Sequence, residues 1–133
     1  MEPVTQFYFD HEKLEVYQQS IAFVAWLNPI LEEISKAGDV KDQLDRASTS
    51  IPLNIAEGNG KYSGKERGRY FETAQASALE CASGLDILIA KRKLTSEQIV
   101  PGKERLSRIV RMLVGLLKKC PDRNYDRGSR EEP

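Results

Sequence analysis

Arg46, Ser50, Asn54 and Glu57 follow one another at spacings of four, four and three residues, the period that sets side chains on one face of an α-helix. A guanidinium, a hydroxyl, an amide and a carboxylate gathered in this way can do two kinds of work. They can fix the packing of helices or subunits through an ion pair, or they can hold a polar ligand. Packing is the stronger reading, because half-buried charge pairs more often specify an arrangement than catalyse a reaction. Pro52 lies within the same run, Arg46-Ala-Ser-Thr-Ser-Ile-Pro-Leu-Asn-Ile-Ala-Glu-Gly58. A proline in a helix interior removes one backbone hydrogen bond and costs about 3 kcal/mol, so the surroundings must hold the segment helical. Ser48, Thr49 and Ser50 are residue types that rebond a disturbed backbone locally. Glu80 and Arg69 are placed to join the same network.

Support for catalysis is slight. His11 is the sole histidine and falls in the first turn of a helix, where exposure to solvent is expected. No His, Cys and carboxylate cluster has metal spacing, and the Glu-x-x-His pairs of bundle di-metal centres are missing. Gly58-Asn-Gly60 followed by Lys61 imitates a phosphate loop but lacks its Gly-x-x-x-x-Gly-Lys-Ser/Thr spacing and a preceding strand. The expectation is a non-enzymatic protein with no catalytic residue, no metal and no cofactor.

Cations remain. Lys61, Lys65, Arg67 and Arg69 crowd one stretch, Lys118 and Lys119 close the last apolar segment, and Arg123, Arg127 and Arg130 follow on the tail. Lysines and arginines aimed at phosphates bind nucleic acid without reading its bases. Tyr62, Tyr70 and Tyr125 are the interleaved aromatics, and they make no stacking platform that would read sequence. Arg105, Arg108 and Arg111 share a face with Lys118, Lys119 and Glu104, a stripe usually explained as solvated.

These residues must be positioned by one domain, the expectation for 133 residues. Twenty basic and twenty acidic side chains cancel overall, but residues 1–60 carry four Lys/Arg against ten Asp/Glu, and residues 61–133 carry sixteen against ten. Such polarity points to a partner, another copy or an anion, while the neutral total argues against indiscriminate nucleic-acid binding. No apolar run approaches the ~20 residues of a membrane span, and Met1-Glu-Pro-Val-Thr lacks the regions of a signal peptide, so a cytoplasmic location is expected. Cys81 and Cys120 are too few for a disulfide framework. Antiparallel helices would hold them ~21 Å apart along the last helix, too far to bridge.

Hydrophobic periodicity predicts four helices and no strand. Residues 11–37 form the first, capped by Asp10, with Leu14, Tyr17, Ile21, Val24, Asn28 and Leu31 as its stripe and Leu27 and Ile34 beside it. Pro29, an interior proline, is expected to bend it, and Gly38 to stop it. The second runs from Val40 to Glu57 on Leu44, Ala47, Ser48, Ile51 and Ile55, and Gly58-Asn-Gly60 closes it. Ser63-Gly-Lys-Glu66 is a capping box opening the third, which runs to Arg92 on Tyr70, Ala74, Ser77, Cys81, Leu85 and Leu88. A second stripe of Phe71, Ala78, Leu79, Ala82 and Ile89 predicts that this helix buries a second face. Thr95-Ser-Glu-Gln98 caps the fourth, which carries Ile99, Leu106, Ile109, Val110, Leu113, Leu116 and Leu117 to Cys120, with Pro121 as its stop. Short links make an all-α, up-down-up-down four-helix bundle over residues 1–121, with 122–133 as a disordered tail. This topology gathers Lys61, Lys65, Arg67, Arg69, Lys118 and Lys119 at one end.

The sequence resembles the bacterial four-helix-bundle proteins encoded in intervening sequences of 23S ribosomal RNA genes. The likeness spans about residues 9–119 and is carried by Phe9 to Tyr17, Gln43-Leu-Asp-Arg46, Ser50-Ile-Pro-Leu-Asn-Ile-Ala-Glu-Gly58, Ser63 to Glu66 and Ala74 to Glu80. The resemblance implies a ring-shaped homopentamer, and it extends to the accessory protein of diversity-generating retroelements, which works with a reverse transcriptase and RNA. It departs from commoner members at Tyr17, where tryptophan is frequent, and in the polar tail. Small residues at Ala74, Ala76, Ala78, Ala82, Ser83 and Gly84 agree with close helix approach. The expectation is an oligomeric scaffold that binds RNA or a nucleoprotein through its basic end, the alternative being a protein–protein adaptor that binds no nucleic acid.

Overall fold

The computed structural model describes residues 6–34 and 38–120. A 3-10 turn, Asp10–Lys13, leads into helices α1 (Glu15–Glu33), α2 (Asp39–Asn59), α3 (Gly64–Ala90) and α4 (Ser96–Lys118), with no strand among the described residues. Each helix packs on the one before it and α1 also packs on α4, which makes an up-down-up-down four-helix bundle. The tail from 121 onward lies outside the described residues.

Three helix ends differ from the sequence reading. Helix α1 stops at Glu33, with Ile34 extended, before the Gly38 expected to end it. Asp10 does not cap a long first helix; it opens the 3-10 turn, and Leu14 in extended conformation separates that turn from α1. The Glu12 carboxylate accepts from the amides of Tyr8 and Phe9 at 3.1 and 3.2 Å, so the chain is turned before the α-helix begins. Gly58 does not end α2, which continues to Asn59. Gly38, at φ 59°, precedes α2 in a conformation that favours glycine. The Ser63 hydroxyl accepts the Glu66 amide at 3.1 Å, and Thr95 and Gln98 form a reciprocal capping box.

The core is built from Phe23, Leu27, Leu44, Ile51, Ile55, Phe71, Leu85, Leu88, Ile109 and Leu113, all fully enclosed. In α2 and α4 the buried faces follow the expected stripes. In α1 the core-facing stripe is Val16, Ser20, Phe23, Leu27 and Leu31, whereas Tyr17, Ile21 and Val24 are half-buried and Asn28 is exposed. The expected stripe was therefore rotated: α1 is apolar around most of its circumference, and Phe23, Leu27 and Leu31 point inward while Tyr17 and Trp26 pack at the edge of the core. In α3 the second stripe is largely used within the chain. Phe71 and Ala78 are buried, Ala82 and Ile89 pack against the core, and Leu79 is exposed.

Helix spacing is set by small residues and a few polar ties. A Cβ on Gly84 would lie 2.7 Å from Leu44 side-chain atoms, and one on Gly58 would lie 2.9 Å from Tyr70 Cβ and Phe71 Cε1. The α2/α3 pair can approach closely only with glycine at these two points. Lys103 pairs with Asp86 at 2.8 Å between α4 and α3, and Arg105 donates to Gln19 Oε1 at 2.6 Å between α4 and α1.

Candidate functional site

Ser50 turns toward α3, where its hydroxyl lies 2.9 Å from the hydroxyl of buried Ser77. Asn54, one turn later, donates through Nδ2 to the Ser50 carbonyl at 2.8 Å and to Ser50 Oγ at 2.9 Å. These three side chains form a polar clasp inside an apolar helix interface, and a satisfied buried network of this kind favours one register over others. Pro52 is buried in α2. The hydroxyls of Ser48 and Thr49 both donate to the Asp45 carbonyl at 2.9 Å, three residues before the Ser48 carbonyl that Pro52 leaves without its amide donor.

Arg46 and Glu57 fall further round α2 and are exposed. They stand eleven residues apart, roughly 16 Å along the helix. Among the described residues neither side chain has a hydrogen-bond or ion-pair partner. The four-residue polar face thus divides into an inward hydroxyl and amide pair and an outward cation and carboxylate. Leu53 shares this outward face of α2 and is 60 % exposed, and Leu79 on the outer side of α3 is 54 % exposed. Ala76, Leu79, Ser83 and Ile87 continue at helical spacing and are all exposed. Antiparallel pairing through Ser50 and Ser77 brings Leu53 to about the level of Ala74.

The cationic end is assembled as the topology requires. Asn59 Nδ2 donates to Asp10 Oδ2 at 3.0 Å, joining the end of α2 to the 3-10 turn. Leu14, Glu15, Val16, Met112, Gly115, Leu116 and Lys119 line one groove, which places the end of α4 beside the start of α1. The six cations are not equivalent. Arg67 is half-buried over the Phe71 ring at 5.7 Å, and its guanidinium donates to the carbonyls of Asn59 at 3.1 Å and Lys61 at 3.3 Å. It therefore braces the α2–α3 turn. Lys61 sits over the Tyr70 ring at 5.3 Å. Lys65, Arg69, Lys118 and Lys119 are exposed, and Asp10, Glu12, Glu15 and Glu66 share the same end. A cavity of about 350 Å³ is lined by Ser63, Lys65, Glu66, Arg69 and Tyr70.

His11 is half-buried, stacked on Phe9 with ring centroids 6.0 Å apart and edge-on to Tyr17 at 4.7 Å, which corrects the expected solvent exposure. The Cys81 thiol is pushed up to about 12, chiefly by burial and secondarily by the Glu80 charge. Cys81 and Cys120 are both free and buried. No group of three or more His, Cys, Asp or Glu side chains among the described residues could hold a metal ion. No helix among them is long and apolar enough to cross a membrane. Sequence reasoning placed Ser77 in the core stripe but missed its partnership with Ser50, because a hydroxyl pair between helices is visible only once their register is known. It also missed that Tyr62 is wholly exposed on a braced turn.

The chain matches no curated protein. It is similar in structure to a protein of unknown function from the S23 ribosomal protein family of Bacteroides thetaiotaomicron VPI-5482, with a TM-score of 0.71 and 25% identity. That alignment covers 77% of this chain and 98% of the other. The family model for the 23S rRNA-intervening sequence protein matches residues 12–115, a span that takes in the 3-10 turn from Glu12, the Pro52 helix, the serine clasp and nearly all of α4. With both the sequence pattern and the bundle agreeing over that span, this chain belongs to the 23S rRNA-intervening sequence protein family.

Proposed function

We propose that the protein is a non-enzymatic cytoplasmic scaffold that assembles with copies of itself and holds RNA or a nucleoprotein at its cationic end. The observation that carries the assembly reading is the outer α2/α3 face. Leu53 is exposed on α2, Leu79 and Ile87 are exposed on α3 together with Ala76 and Ser83, and the side chains of Arg46 and Glu57 have no ion-pair partner among the described residues. Exposed apolar side chains grouped with small residues permit close helix contact between subunits, and the two lone charges would find partners across such a contact. This basis differs from the doubly apolar α3 stripe, most of which is used inside the subunit. Five copies in a ring is the number that the family resemblance implies, and a head-to-tail interface must close into a ring or extend as a filament.

The test is sedimentation analysis of Leu53→Glu with Leu79→Glu, with helicity and melting followed in parallel. The expected outcome is a folded protein of lower mass than the wild type. An unchanged mass would overturn the assignment of this face.

A protein–protein adaptor is the second reading, favoured by Asp10, Glu12, Glu15 and Glu66, which weaken the positive field at the end. Binding of mixed-sequence RNA at two salt concentrations separates the readings. The RNA reading expects affinity that falls with salt and is reduced when Lys61, Lys65 and Arg69 are neutralised.

A further inference from the structure

We propose that Tyr62 is a stacking residue for the bases of a single-stranded nucleic acid, with phosphate contacts from Lys61 and Arg69. This rests on the RNA reading above and names the form of nucleic acid the site takes. Tyr62 is 105 % exposed, so its whole ring stands in water, whereas Tyr70 is half-buried beneath the Lys61 ammonium. Exposure alone would describe many loop tyrosines. Here the backbone on both sides is held.

The amides of Gly60 and Lys61 donate to the carbonyls of Glu57 and Gly58, each at 3.1 Å. Arg67 ties the carbonyls of Asn59 and Lys61 together from the far side of the turn. Ser63 is fixed as the cap of α3 by accepting the Glu66 amide. Tyr62 thus lies between a residue whose carbonyl is clamped and a residue that caps a helix. A ring presented on a fixed backbone gives up little freedom when a base stacks on it.

Cations stand close in sequence and space. Lys61 precedes Tyr62 and is aligned over Tyr70. Arg69, its side chain exposed, lines the adjoining cavity. Glu66 lines that cavity too, so the phosphate contacts belong to Arg69 on its lining and to Lys61, which lies over the Tyr70 ring at its wall. An exposed aromatic flanked by cations is the means by which proteins bind single strands with little regard to sequence, since every base has a π-face. A duplex hides those faces and offers this site only its phosphates.

Fluorescence anisotropy of the full chain with a uridine oligomer of about 12 nucleotides, and with an RNA duplex of the same length, tests the proposal. Tyr62→Ala should weaken single-strand binding about tenfold and leave duplex binding unchanged, while Tyr62→Phe should bind as the wild type does. Arg69→Gln should weaken both and flatten the salt dependence. Equal single-strand binding by Tyr62→Ala and wild type overturns the stacking role and leaves the RNA reading standing. A Tyr62→Phe defect as large as that of Tyr62→Ala also overturns it, because the hydroxyl would then be the contact. Absence of salt-dependent binding by the wild type overturns both.

Discussion

Ser77 is one polar side chain in a stripe of alanine, cysteine and leucine, and its worth depends on Ser50 across the interface. Ser77→Ala leaves Ser50 with Asn54 as its remaining partner, so a loss of about 1 kcal/mol is expected in chemical denaturation. Gly58→Ala sets two effects against each other. The helix gains about 1 kcal/mol of intrinsic propensity, but the new Cβ meets Tyr70 Cβ and Phe71 Cε1 at 2.9 Å, and overpacking costs roughly 1–3 kcal/mol. Net destabilisation is expected, and a raised melting temperature would contradict the close packing. For Cys81 the folded thiol holds its proton up to about 12, above its ordinary value of about 9. The stability linked to that shift is present below about pH 9 and is lost as pH rises toward 12. Thiol titration of Cys120→Ser at pH 8 should therefore find Cys81 unreactive until the protein is unfolded.

Helix α1 shows where periodicity runs out. The stripes of α2 and α4 were legible because polar residues interrupt their outer faces, leaving one apolar arc each. Around α1, Val16, Tyr17, Ile21, Phe23, Val24 and Leu27 offer two overlapping stripes, and only packing against α2 and α4 selects the one with Phe23 and Leu27. Phe23→Ala should accordingly cost about 3–5 kcal/mol, and Ile21→Ala clearly less, when both are compared by urea denaturation. The polar motif was half legible for a similar reason. Helical spacing found Arg46, Ser50, Asn54 and Glu57, but the direction of α3 decided that Ser50 and Asn54 face inward. Arg46→Ala and Glu57→Ala are each expected to change subunit stability by no more than about 0.5 kcal/mol and to alter assembly instead. A large drop in melting temperature with unchanged oligomer size would reverse that assignment.

At the scale of the whole molecule, the short links and four amphipathic segments made the bundle readable, and the family match agrees with it. The nature of the cationic end was less readable, because charge counts do not reveal that Arg67 braces a turn or that four acids share the surface. Self-assembly is the central claim, since it accounts for the exposed α2/α3 face and would repeat the cationic end in every subunit. Repetition turns weak single contacts into avidity. The most direct measurement is the solution mass of the wild-type protein by light scattering across a micromolar concentration series. The account predicts a stable multiple of the 15.0 kDa chain, about 75 kDa if five copies close a ring. A mass of 15.0 kDa throughout that range would contradict it.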